Sequence, residues 1–396
     1  MLRPSTSIPH RGRGPLWRDP AVRALATQAV LLIALVAIIA LLIHNTMTNL
    51  EARGINTGFG FLDGRAGFSI SQTLIDYTSE STYGRTFVIG LLNTLLVSAL
   101  GVVAATLIGF AVGIARLSPN WLLSRLAAVY VETFRNIPLL LQILFWYFAV
   151  LRSLPSPRQS ITLLDAFFFN VRGMVMPAPE FQAGFAATPI ALLIAILATI
   201  GLVIFNRRRQ ERTGQRLPAG WIGLGLIVGL PLVVFLLSGS PLHWSVPELK
   251  GFNFRGGVNV LPELLALWVA LSIYTAAFIA EIVRSGIQAV PHGQVEASRS
   301  LSLPGGITLR KVVIPQAMRV IIPQLTSQYL NLIKNSSLAT AIGYPDLVAV
   351  FAGTTLNQTG QAIEIIAMTM AVYLVISLLV SLLMNIYNAR MALKER

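Results

Sequence analysis

The chain is 396 residues long, 55% hydrophobic and only 12% charged, with a mean hydropathy of +0.70. A soluble domain carries about 25% charged residues, so a water-soluble globule of this size would lack the polar surface to cover itself. The net charge of +14 invites a nucleic-acid partner, but the basic residues gather at the edges of apolar runs, where membrane topology explains them.

A helix that crosses about 30 Å of hydrocarbon needs roughly 20 residues without charge. Runs at 24–43, 87–115, 126–151, 188–205, 220–237, 264–283, 322–344 and 365–387 give eight candidate spans. The first follows an arginine-rich start and could be taken for a cleaved signal peptide. It is longer than the roughly 7 to 15 residues of a signal core and LLIHNTMTNL offers no A-x-A site, so it is expected to stay as an anchor. The third span is interrupted near its start by Arg135, Asn136 and Pro138, which read as a positive-inside anchor or an inner-edge gate. Gly109 and Gly113 form a G-x-x-x-G step in the second span that allows close helix packing.

Cytoplasmic loops retain Lys and Arg. With the N-terminus inside, most basic residues fall on one side, among them Arg116, Arg125, Arg207 to Arg209, Arg212, Arg216, Arg284, Arg299, Arg310 and Lys311. The other side collects acids such as Glu51, Asp63, Asp76, Glu80, Asp165 and Glu180. Both termini and the long polar interruption at 290–323 are therefore expected in the cytoplasm. Cysteine is absent and the four histidines are scattered, so neither disulfides nor a histidine metal cluster is expected.

The interruption reads VPHGQVEASRSLSLPGGITLRKVVIPQAMRVIIP. Residues 294–301 lack breakers and predict a short helix; Pro304, Gly305 and Gly306 predict a turn; 307–313 predicts a second helix that Pro315 ends or kinks. Val295, Leu301, Leu303, Val312, Val313 and Ile314 would then lie exposed at the membrane edge, either facing a partner groove or packed on the chain's own helices.

Glu296, Ala297, Ser298, Leu301 and Ser302, followed by Ile314, Pro315, Gln316 and Ala317, resemble the EAA loop of ABC-importer permeases of the polar amino-acid branch. Ser298 replaces the second alanine of that pattern and Ser302 its glycine. Further segments, including YVETFRNIPLLLQILFWYF, YTAAFIAEIVRSGIQAVPHGQ and YLNLIKNSSLATAIGYPDL, are similar to the same branch in the same order. Overall length, an outward segment at 59–86 and an added pair of spans make the chain most similar to the Q-type permeases of bacterial general L-amino-acid importers.

The resemblance implies an all-α, type I ABC importer permease-like bundle of about eight transmembrane helices. It implies a cytoplasmic tail at 1–23, an added helix at 24–44, a periplasmic segment at 45–86, core helices at 87–151, an insertion with two extra helices at 152–263, core helices at 264–387 and a tail at 388–396. It also implies coupling to ATPase subunits through Glu296, Ala297, Ser298, Leu301, Ser302 and Pro315, pairing with a homologous permease, and delivery of substrate by a periplasmic amino-acid-binding protein. The basic hairpin NRRRQERTGQR within the insertion reads as a topology anchor, with an ATPase or anionic-lipid contact as the alternative.

None of the four lysines follows a glycine, so no phosphate-binding loop is present in the chain. No cofactor is expected on it; ATP and Mg would be used by the partner subunits. Charged groups inside spans are costly and need a reason. Lys334, with Asn335 and Ser336 beside it, is a candidate for lining the translocation path, as are Glu281, Asn93 and Gln142; pairing of Glu281 with Arg284 and interhelical hydrogen bonding are the competing explanations. An ion-coupled secondary transporter and a non-transport membrane docking protein are the rival functions.

Overall fold

The computed structural model describes residues 20–52, 57–215 and 217–391. Helices Pro20–Ala52 (α1) and Tyr83–Ala115 (α2) are followed by Trp121–Asn136 (α3) and Leu139–Leu144 (α4), the latter continuing as a π-helical stretch over Phe145–Leu151. Ala187–Thr213 (α5) and Ala219–Leu237 (α6) form a hairpin, and Pro262–Gln288 (α7), His292–Ser300 (α8), Gly305–Thr308 (α9) and Ile314–Asn335 (α10) follow. A short Leu356–Thr359 (α11) and the long Ala362–Met391 (α12) complete the chain.

Six of these helices are long and apolar enough to cross a membrane, and the bent pair α3 and α4 makes a seventh. The seventh expected span, 322–344, differs. Helix α10 is amphipathic, starts at Ile314 rather than near 322, and continues into a 3-10 segment, Ser336–Ile342, that touches α2. Its buried residues are Ala317, Ile321, Ile322, Leu325, Leu332 and Ile333, and the helix packs on α7, α12 and α2 while Gln324, Ser327 and Asn331 stay exposed.

The break in the third span lies in its middle, not at its start: α3 and α4 meet at 104°. Pro138 cannot donate to the preceding turn, and Ile137 is driven to extended φ/ψ of −94° and 127°. The Gln142 side chain donates to the freed Phe134 and Ile137 carbonyls at 3.0 and 2.9 Å.

Helices α2 and α7 form the packed spine. A Cβ on Gly109 would lie 2.6 Å from Ile279 Cβ, and one on Gly113 would lie 2.7 Å from the Ala280 carbonyl, so the two glycines set the approach of the helices. The Tyr83 end of α2 is tied to the turn before Val348 by buried polar groups: Asn93 Nδ2 donates to the Gln72 and Pro345 carbonyls, and Leu347 N donates to Thr94 Oγ1 at 3.0 Å. Flanking α5 and α6 are short strands that sequence reading passed over: Ile161–Leu163 (β1), Phe167–Asn170 (β2), Gly173–Met176 (β3), Ala178–Phe181 (β4), Leu242–Ser245 (β5), Glu248–Lys250 (β6), Asn253–Arg255 (β7) and Val258–Val260 (β8). They pair antiparallel in the order β1-β2-β3-β8, with β4-β5 and β6-β7 as separate ribbons. This cap joins the helices at the N-terminus of α7, where Tyr147 donates to Glu263 at 2.7 Å.

Candidate functional site

Two features stand out at the Ala115 end of α2: a protruding helical loop and, leading away from it, a polar cleft along α10. The loop begins with α8, which closes in a Schellman motif: Leu303 N donates to the Ser298 carbonyl at 3.1 Å and Ser302 N to the Arg299 carbonyl at 2.8 Å. That geometry puts Ser302 at φ +56°, the left-handed conformation for which glycine is suited. The departure of Ser302 from glycine therefore carries a backbone strain, and the two hydrogen bonds hold the turn in that conformation.

Ser298 is buried, and its Oγ lies 2.8 Å from the Val295 carbonyl and 3.2 Å from Thr308 Oγ1. It braces α8 against α9 and is not a contact surface. Glu296, Ala297, Ser302 and Leu301 are exposed, Leu301 at 74%. Of the apolar residues expected outside, Ile314 is exposed, Val313 is buried, and Val295, Leu303 and Val312 are half-buried; Ile307 and Leu309 are exposed instead. Pro315 neither ends nor kinks a helix. It occupies the first turn of α10, and the preceding Leu309–Val313 is a π-helical turn whose altered register accommodates the missing N–H.

The cleft lies between α7 and α10. Its two connected pockets, about 250 and 310 Å³, share Phe278 and Gln328. From α10 come Gln324, Ser327, Gln328, Asn331 and Asn335, one face at helical spacing; Tyr274, Thr275, Glu281 and Ser285 face them from α7. Arg135 also lines the cleft, its guanidinium 5.2 Å from the Phe278 ring centroid. Glu281 closes the Ala115 end: it accepts from both Arg116 and Arg284, the latter through Nε at 3.1 Å.

The expected path residues are not all brought together. Successive side chains on a helix point about 100° apart, so Asn335 faces this cleft while Lys334 faces a different pocket with Thr369, Tyr373 and Ser377 of α12. Ser336 is buried with its Oγ on the Ile333 carbonyl, and Asn93 and Gln142 are buried in the braces already described. Gln324, Ser327, Gln328 and Asn331 were missed, although the amide spacing in QLTSQYLNLIKN was there to be read. Among the described residues, no group of three or more His, Cys, Asp or Glu side chains is placed to hold a metal ion.

Residues 212–393 match the family described as binding-protein-dependent transport system inner membrane component. Over almost its full length the chain is also similar to the putative amino-acid ABC transporter permease YhdX of Escherichia coli, with 61% identity over 96% of this chain and 97% of the relative. The chain belongs to the amino-acid ABC transporter permeases. Further relatives of this permease are the general L-amino acid transport system permease AapQ of Rhizobium johnstonii, 53% identical over 98% of both chains, and the glutamate/glutamine/aspartate/asparagine transport system permease BztB of Rhodobacter capsulatus, 44% identical over 96% of both. It is a multi-pass inner membrane protein of helical, type I permease architecture.

Proposed function

We propose that this permease translocates L-amino acids of broad type along the α7–α10 cleft, with the Ala115 end of α2 and both chain termini in the cytoplasm. The observation that carries this reading is the exposed amide face of α10. Gln324, Ser327 and Asn331 are exposed on a helix held within the bundle, and such groups are costly against hydrocarbon. A homologous permease facing the cleft would enclose it, and the amides and hydroxyls would replace water around a zwitterion. Asn93, Gln142, Ser336 and Lys334 are left out of this path.

The loop from α8 to the π-helical turn is the docking element for one of two ATP-binding subunits, which dock under the permease pair and bind ATP and Mg; a periplasmic binding protein delivers substrate at the Tyr83 end. Glu296, Ala297, Leu301 and Ser302 form the contact, Ser298 and Pro315 its internal support. The basic charge on the Ala115 end supports the orientation, and the names of the relatives support the substrate class.

The natural absence of cysteine makes the test direct. In the assembled importer, Leu301→Cys should cross-link to an ATP-binding subunit, while Ser298→Cys, buried, should react far more slowly. Glu296→Lys should leave the chain inserted but abolish ATPase association and uptake. Cross-linking at Ser298 equal to that at Leu301, or normal uptake by Glu296→Lys, would overturn the docking reading.

A further inference from the structure

The α5–α6 hairpin ends in charge that the proposed transport mechanism does not use. Residues 188–205 of α5 are uncharged, and 18 residues of helix span about 27 Å, close to the thickness of a bilayer core. The two helices pack chiefly on each other, with Gly223 seated against Thr199, and leave Ile190, Leu193, Leu197, Ile200 and Phe205 exposed. A hairpin of this kind lies in lipid, and its end lies at headgroup depth. Trp221, 78% exposed in the first turn of α6, marks the same level, since indoles concentrate at the membrane interface.

Immediately beyond Phe205, α5 continues for two turns as NRRRQERT. This end is built rather than frayed. Asn206 Nδ2 donates to the Leu217 carbonyl at 3.1 Å, Leu217 N donates back to Asn206 Oδ1 at 2.9 Å, and Gly214 caps the helix at φ +70°. Among the described residues, four arginines, Arg207, Arg208, Arg209 and Arg212, share that end with one acid, Glu211, which lies 3.6 Å from Arg207. Arg209 reaches Gln215 at 3.3 Å. Among the described residues no other ion pair forms at this end.

We infer that the end of this hairpin is a binding surface for anionic phospholipid headgroups. Guanidiniums match phosphate through paired N–H donors, and here they begin within two residues of the apolar segment, at the depth of the phosphates. An ATP-binding subunit docked beneath the α8–α9 loop is the other candidate partner; the short reach of the arginines from the apolar segment favours lipid. Placement in the cytoplasmic leaflet rests on the orientation proposed above.

The test uses the assembled importer, stripped of lipid and titrated with phosphatidylglycerol or phosphatidylcholine while bound lipids are counted by native mass spectrometry. The wild type should retain phosphatidylglycerol preferentially, and high salt should erase the preference. Arg208→Gln with Arg212→Gln, which leaves Arg207 and Arg209 to hold orientation, should weaken phosphatidylglycerol binding by about fivefold per arginine removed, and Lys at both positions should restore it. Unchanged phosphatidylglycerol retention in the Gln variant would reduce the arginines to a topology anchor. Loss of an ATP-binding subunit with lipid retention unchanged would make the surface a protein contact; either outcome overturns the inference. A single cysteine at Gln215 labelled only from the periplasm would instead refute the orientation, whatever the lipid counts.

Discussion

Gly109→Ala tests whether the α2–α7 contact is as close as the structure places it. The added Cβ would sit 2.6 Å from Ile279 Cβ and Cγ2 and 3.0 Å from the Ala276 carbonyl. Ordinary contact between carbons needs about 3.5 to 4.0 Å, so the helices must part by roughly 1 Å or the Ile279 side chain must leave its rotamer. A gap of that size forfeits about a quarter to a half of each dispersion contact along the seam, and in a bilayer such packing is a principal source of helix association. Overpacking of this kind costs about 1–3 kcal/mol. Gly225→Ala on α6 is the matched control, because a Cβ there meets nothing within 4 Å and the change should be neutral or stabilising by up to about 1 kcal/mol. Thermal unfolding of the purified permease in detergent, followed by size-exclusion recovery, reads both. Equal midpoints for the two variants would refute the close approach of α2 and α7.

At the end of α8, Ser302→Gly should stabilise the permease by up to about 1 kcal/mol, since a left-handed non-glycine residue costs about 1–2 kcal/mol and glycine returns about 0.5–1 of that as unfolded-state entropy; Ser302→Ala, measured by the same unfolding assay, should gain nothing. Glu281→Gln removes the countercharge from Arg116 and Arg284, whose side chains are only 15% and 29% exposed; with the loss lying between surface and buried pairs, about 1–3 kcal/mol is expected, and a double-mutant cycle with Arg116→Gln should show coupling above about 0.5 kcal/mol. Asn331→Leu should lower the maximal rate of labelled amino-acid uptake while leaving the amount of inserted protein unchanged, and unaltered uptake would count against the α7–α10 path.

How much of this was legible in the sequence depended on whether a residue's environment is local. The apolar runs of α2, α7 and α12 announced themselves because lipid selects composition directly. The short helix at 294–301 was readable from its missing breakers, and Gly109 and Gly113 from their spacing. Helix α10 was not, because its polar face lines a cleft instead of forming an apolar run, and its first turns were assigned to the loop. The strands β1 to β8 are three or four residues long, too short for alternation to register. Asn93 and Gln142 looked like path residues because sequence shows a polar group in an apolar run but not its acceptor: Pro345 lies 252 positions from Asn93, and the carbonyls that hold Gln142 are freed only by the bend at Pro138.

The same helix that carries the polar face also receives the loop, which bears on how the proposed engine would act. Ser298 and Thr308 tie α8 to α9, so a push on α8 moves both. The π-helical turn at Leu309–Val313 then leads without interruption into α10, 22 residues or about 33 Å of helix. Near its start, α10 rests on α7 where Gly286 leaves room for Ile321; a Cβ at Gly286 would fall 2.3 Å from Ile321 Cγ1. Contact continues to the far end of α10, where Leu332 is buried and a Cβ at Gly101 of α2 would fall 3.2 Å from its Cδ2, so α10 would carry a displacement of the loop toward Asn331 and Asn335 as one packed element. The Arg116–Glu281–Arg284 cluster ties the Ala115 end of α2 to α7. Under the proposed docking, closure of an ATP-binding subunit would act on the cleft through α10.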